Sequence, residues 1–248
     1  FLIMYRWKVE KFPFFSLSWE KTKLLMIDAW PLIFSGVVVS IYMKIDQVML
    51  KEMLNVKAVG VYAAAVKLCE AWYFVPTVVT ASLYPAIISA KQKSELIYQQ
   101  RLQKLYDLMV WGSIAVAIPT SLLADWIILI LYGADFQEAA EVLRIYVWAS
   151  VFVSLGLASS KWLVAENLQR YSLYRTALGA VLNISSNIWL IPIYGIKGAV
   201  FATLISYFIA AYVSLAFFKI TRENFWTASR ALNLVSVIRR VINDKIFI

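Results

Sequence analysis

Several apolar stretches of this chain carry ionisable or amide side chains at spacings that could do chemistry. Lys67 and Glu70 stand three residues apart in one such run, so a helix would bring them to one face. Lys44 and Asp46 stand two apart near the end of an earlier run, with Asp28 nearer its beginning; a separation of two puts them on different helix faces. Lys161 follows Ser159 and Ser160, and Asn183-Ile184-Ser185-Ser186-Asn187 sets two amides one turn apart. A charge at the centre of a bilayer costs at least about 2.5–3.5 kcal/mol on insertion scales, so such groups face a cavity or a partner. Two readings stand for each. Lys67 and Glu70 neutralise one another, or Lys67 lines a cavity with Glu70 orienting it or titrating. Lys44 and Lys161 snorkel to an interface, or Lys44 meets a ligand and Lys161 guards a cavity mouth. Asn183 and Asn187 tie helices together, or contact a polar ligand. Asp46 and Glu70 are the carboxylates placed to take up an ion.

Other chemistries are excluded by composition. The chain has no His and a single cysteine, Cys69. That removes disulfide frameworks, Cys/His zinc sites and His-based nucleophilic triads. No phosphate-cradling glycine loop, ATPase motif or metal-ligand cluster is written in the sequence. No catalytic constellation is visible, so an enzyme is not expected, and neither is a cofactor or a metal.

The elements that hold these residues are long and apolar. Sixty-two per cent of the 248 residues are hydrophobic and mean hydropathy is +0.71, against about 45–50% apolar in a soluble domain. A spanning helix needs about 20 predominantly apolar residues to cross about 30 Å of hydrocarbon. Six stretches qualify, at residues 24–43, 59–88, 105–123, 142–165, 171–193 and 198–218. They must be helical, because unpaired backbone groups cannot face lipid. The predicted fold class is therefore all-α, a polytopic bundle of about six spans over residues 24–219. Residues 1–23 are expected to hold the end of a preceding span and a cytoplasmic connector, and the chain is expected to continue upstream of Phe1. Residues 91–104 read as an amphipathic connector, and 124–141 as an interfacial or re-entrant segment too short to cross. Residues 220–248 read as an amphipathic tail lying on an anionic inner leaflet.

Charge orients the bundle. The net charge is +9, but the basic residues flank spans and form no continuous stripe, so nucleic acid is not an expected partner. Eighteen Lys and Arg fall on the side holding both chain ends, and five on the other. The positive-inside rule makes the richer side cytoplasmic. A multi-pass protein of the cell inner membrane with both ends in the cytoplasm is the expectation, and membrane lipids are its first partners.

The local patterns together resemble the polysaccharide flippase branch of the multidrug/oligosaccharidyl-lipid/polysaccharide exporter (MOP, MATE-like) superfamily. The first span carries Pro31-Leu32-Ile33 and exits through Lys44-Ile45-Asp46-Gln47-Val48-Met49-Leu50. The second opens Val59-Gly60-Val61-Tyr62-Ala63-Ala64-Ala65 and continues Val66-Lys67-Leu68. After the third come Leu131-Tyr132-Gly133, Phe136, Ala139, Ala140 and Leu143, and the last begins Tyr194-Gly195-Ile196-Lys197-Gly198-Ala199. The resemblance covers about residues 12–218. It implies one six-helix lobe, the second of two around a central cavity, with an N-terminal lobe as partner. It also implies translocation of a polyprenyl-diphosphate-linked oligosaccharide, such as an O-antigen, capsule or exopolysaccharide repeat unit, alongside polysaccharide polymerase machinery. Lys67, Glu70, Lys44, Lys161, Asn183 and Asn187 would then touch substrate, the lysines meeting the diphosphate and the amides the sugar hydroxyls. Asp46 and Glu70 would couple the cycle to an ion. A multidrug or cation antiporter of the same superfamily, or a lipid II-type flippase, is the alternative. The shortage of other carboxylates within the spans favours the glycan carrier.

Overall fold

A computed structural model describes residues 18–243, without the side chains of Lys21, Leu24, Asp28, Tyr42, Val241 and Asn243. The expected connector before residue 18, the end of the tail and the environment of Asp28 lie outside the described residues. The described residues are mostly helical: α1 (Trp19–Met53), α2 (Val56–Trp72), α3 (Phe74–Lys93), α4 (Glu95–Leu122), α5 (Ala124–Tyr132) and α6 (Glu138–Tyr146). Then follow α7 (Ala149–Ala165), α8 (Gln169–Tyr194), α9 (Ile196–Phe208), a π-helical turn (Ile209–Val213), α10 (Ser214–Phe217), α11 (Arg222–Leu232) and α12 (Leu234–Asn243). Among the described residues six helical segments are long and apolar enough to cross a membrane: Leu25–Met53, Val56–Lys93, Glu95–Leu122, Glu138–Ala165, Gln169–Tyr194 and Ile196–Phe217. Their number and order are those expected.

The boundaries differ where polar helix formers extend a span beyond its apolar window. α1 runs ten residues past the expected end at Met43, because Lys44–Met53 is rich in Lys, Gln, Met, Leu and Glu, all strong helix formers. Asn55 then caps α2, its Oδ1 accepting from the Ala58 N–H at 2.9 Å, which satisfies one of the orphan donors of a helix start. The expected connector at 91–104 is no separate element: Ser94, in extended conformation, is the whole break, and α4 starts at Glu95. The second span bends at Tyr73, between α2 and α3. Pro76 lies four residues beyond Trp72; it has no N–H to donate to the Trp72 carbonyl, and its ring crowds that carbonyl. The residues expected to be interfacial or re-entrant, 124–141, hold α5, a short 3-10 turn (Ala134–Phe136) and the start of α6; α5 is nine residues long with Trp126, Ile130 and Leu131 exposed. It ends at Gly133, whose φ of +82° favours glycine.

Helix contacts in a bilayer draw little from apolar transfer, since lipid is as apolar as leucine; close approach and hydrogen bonds do the work. α1 packs along α8, and α8 along α9. A Cβ on Gly198 would lie 2.1 Å from the Leu190 carbonyl oxygen, and one on Gly179 would lie 2.8 Å from Ala210 Cβ. Only glycine lets α9 start against the end of α8. Hydroxyl pairs cross the interfaces: Ser35 with Thr176 at 2.9 Å and Ser113 with Ser154 at 2.6 Å. Two apolar clusters fill the two ends of the bundle. One surrounds Leu50, Tyr62, Ile128, Leu143 and Ala199, and the other Leu102, Tyr106, Leu155, Leu163 and Ala228.

The tail is not simply laid on a surface. Asn224 of α11 is fully buried, accepting from the Tyr106 hydroxyl of α4 and donating to Ser159 Oγ of α7. Thr227, Ala228 and Ala231 complete the docked face, leaving Trp226 exposed.

Candidate functional site

Four helices bring one carboxylate into the bundle. Asp46, on α1, is 2% exposed. Its Oδ2 accepts from the Tyr62 hydroxyl of α2 at 2.7 Å and from Thr203 Oγ1 of α9 at 2.6 Å. Its Oδ1 accepts from Asn187 Nδ2 of α8 at 2.6 Å. The same Asn187 amide donates to Asn183 Oδ1 at 3.2 Å, one turn earlier on α8. Asn183 and Asn187 are fully buried. Tyr62 is held edge-on against Tyr146, ring centroids 5.9 Å apart.

The electrostatics of this cluster are one-sided. Asp46 interacts with hydroxyls and amides, and no Lys or Arg among the described residues pairs with it. A buried carboxylate without a counter-charge is expensive. Three donated hydrogen bonds offset part of that cost; a proton or a small cation would offset the rest. Asn187 Oδ1 is buried and accepts no hydrogen bond from a described residue. The amide cannot be reversed, because that would set its oxygen against Asp46. Asp46, Asn183, Asn187, Tyr62 and Thr203 thus gather oxygen atoms of the kind that hard cations take as ligands. Among the described residues no group of three His, Cys, Asp or Glu forms.

The remaining candidates lie elsewhere. Glu70 does not pair with Lys67. Its carboxylate meets Lys44 Nζ at 3.3 Å, joining α2 to α1. Tertiary packing supplied a cation across the helix interface, which overrode the neighbour on its own helix. Lys67 is exposed on α2. Lys44 is 58% exposed while Asp46 is buried, so the two do take different faces. Lys161 Nζ lies 5.3 Å from the centre of the Tyr84 ring, a cation–π contact.

Two members of the Asp46 cluster, Tyr62 and Thr203, carry no charge and do not stand among the site residues expected from the sequence. Arg175, another residue that the sequence did not single out, stands inside α8. Its Nη2 donates to Gly156 O at 2.9 Å and to Ser160 Oγ. With Met43, Tyr73, Ser160, Thr176 and Tyr207 it lines a second cavity of about 190 Å³, closed on one side by Ala210 and Ala211 of the π-helical turn. Such turns interrupt helices mostly where function requires it.

Comparison with known proteins agrees with this architecture. The polysaccharide biosynthesis protein family matches residues 1–91, which include α1, α2 and most of α3. The chain is 24% identical over 189 residues to the probable low-salt glycan biosynthesis flippase Agl15 of Haloferax volcanii, covering 71% of the chain and 39% of that relative. It is 27% identical over 169 residues to the probable flippase AglR of the same organism, covering 66% of the chain and 35% of the relative. The chain therefore spans well under half the length of these relatives. No solved structure matches it. With its six candidate spans, the chain is thus similar to polysaccharide biosynthesis proteins over its first third and to these two probable flippases over about two thirds of its length.

Proposed function

We propose that this chain is the ion-coupled lobe of a carrier that moves a polyprenyl-diphosphate-linked oligosaccharide across the bacterial inner membrane by alternating access. The cargo is an O-antigen, capsule or exopolysaccharide repeat unit. The observation that carries the reading is Asp46, a carboxylate buried without a counter-ion where α1, α2, α8 and α9 meet. An ion arriving there competes with the hydrogen bonds that tie the four helices. Its binding energy is thereby coupled to their packing, which is what linkage between two conformations requires.

The diphosphate needs cations, since an uncompensated anion in low dielectric carries a prohibitive cost. In this reading Lys67, exposed on α2, and Arg175, at the wall of the smaller cavity, supply them. Lys44 and Glu70 form a pair that a passing anion can open, freeing the ammonium. Asn183 and Asn187, assigned by sequence to substrate or to packing, act at the ion site in this reading.

The test is made in the native host. A strain lacking the wild-type gene and supplied with Asp46→Asn should lose polymerised surface polysaccharide and accumulate lipid-linked repeat units, with the protein at normal abundance. Lys67→Ala should do the same more weakly. Normal polysaccharide with Asp46→Asn would remove the carboxylate from the mechanism.

A further inference from the structure

One cavity lies away from the ion site. It holds about 510 Å³ between the first half of α4 and the clasp formed by α11 and α12, within the about 300–1,000 Å³ usual for ligand pockets. Its wall is divided. Lys104, Arg230 and Arg240 line it with the carboxylate of Asp107, beside Leu96, Leu108, Trp111 and Val237; two further carboxylates, Glu95 and Glu223, accept from Gln99 of the same lining, and on α4 Leu108 and Trp111 lie one and two turns deeper than Lys104.

The clasp is built to hold this shape. Arg240 of α12 grips Asp107 of α4 through Nε at 2.9 Å and Nη2 at 2.8 Å. Nη2 also reaches the Arg230 carbonyl at 3.0 Å. Those bonds leave the Nη1 hydrogens of Arg240 for a ligand. The Trp111 indole donates to the Ala231 carbonyl at 3.0 Å, fixing the apolar wall. Between the helices Asn233 turns the chain, accepting from the Ser236 N–H at 3.2 Å. Arg230 is exposed, and among the described residues its carbonyl accepts from Ser236 Oγ and Arg240 Nη2 while its guanidinium makes no hydrogen bond.

Around the cavity the clasp presents apolar side chains that nothing in the described residues covers: Trp226 is 60% exposed, Val235 65% and Ile242 69%. An interfacial helix with a basic face and such an apolar face sits at the headgroup boundary. Leu108 and Trp111 belong to the spanning segment Glu95–Leu122, so the apolar end of the cavity faces hydrocarbon depth. A cavity with excess positive charge at its mouth and a hydrocarbon-level floor matches one occupant by charge and polarity, a phospholipid of net negative headgroup.

We infer that the cavity between α4, α11 and α12 is a binding site for one anionic glycerophospholipid of the leaflet nearest the tail. Its phosphate lies among Lys104, Arg230 and Arg240, and an acyl chain runs past Leu108 and Trp111. Occupancy secures the clasp to the bundle. This site is separate from the Asp46 cluster and does not depend on the transported cargo.

Native mass spectrometry of the protein purified from host membranes tests it, with phosphatidylglycerol and phosphatidylcholine added in turn. One phosphatidylglycerol should be retained at about tenfold preference over phosphatidylcholine. Arg230→Gln should weaken that retention about fivefold, the effect expected of one basic residue at an anionic lipid, and Arg230→Lys should restore it. Leu108→Trp, which fills the apolar end, should lower retention with the melting temperature kept. Equal retention of the two lipids, or an unchanged preference in Arg230→Gln, would overturn the site. So would displacement of the lipid by excess inorganic phosphate, which would make it a simple anion site, or by a polyprenyl diphosphate, which would make it a cargo site.

Discussion

Asp46 is a polar residue that sequence reading can find but cannot place. Its type and position near the end of an apolar run mark it as a carboxylate with a purpose, and the amides Asn183 and Asn187 stand one turn apart in plain view. Their convergence is invisible, because Asn187 and Thr203 meet Asp46 across 141 and 157 residues of chain. Only the packing of α1 on α8 and α9 creates the contact. The Lys67–Glu70 pairing fails for the same reason in reverse: a local neighbour was legible and a distant one, Lys44, replaced it. At this scale Thr203→Val should remove a bond to a buried carboxylate and destabilise the protein by about 1.5–3 kcal/mol. Thr203→Ser should keep it. Thermal unfolding in detergent reads both; a Thr203→Val melting temperature equal to that of the wild type would show the bond to be unimportant. Lys44→Ala, by contrast, breaks a pair that is 58% and 22% exposed, and should cost under about 1 kcal/mol in the same assay.

The helices themselves were largely written in hydropathy. About six spans were expected and six candidate spans are found among the described residues, because apolar runs of about 20 residues in lipid satisfy their backbone groups as helices. Hydropathy could not show where they end, since polar helix formers carry α1 and α4 beyond the apolar windows. The bend at Tyr73 was half legible: Pro76 announced it, but not its offset by one turn. Replacing Pro76 with Ala restores a donor to the helix and should raise the melting temperature while slowing transport, if the bend moves during the cycle. A variant that transports at the wild-type rate would make the bend a static feature. Gly198 gives the opposite case. Any side chain there meets the Leu190 carbonyl at 2.1 Å, and that carbonyl cannot move without moving α8. Gly198→Val should cost at least about 1–3 kcal/mol of stability by overpacking, read as reduced yield and a lower melting temperature.

Across the whole molecule, charge gives a direction that helix geometry lacks. Gln92 and Gln137 lie at opposite ends of the bundle by chain order, both exposed, and Cys69 is buried. In a Cys69→Ala background, a cysteine at position 92 should label from the cytoplasm and one at 137 from outside, as the positive-inside rule requires. The docking of α11 through Asn224 was not legible, because a buried amide on an amphipathic tail looks like any other polar residue until its partners are known. Amphipathicity revealed that the tail has two faces, not that one of them is occupied by protein.

Reconstitution into liposomes addresses the coupling claim most directly. The protein, loaded with a fluorescent polyprenyl-diphosphate oligosaccharide, is followed for movement between leaflets with and without an imposed proton or sodium gradient. Wild-type movement should accelerate with one of these gradients, and Asp46→Asn should move cargo at the same slow rate whatever gradient is applied. A gradient response retained in full by Asp46→Asn would contradict the account.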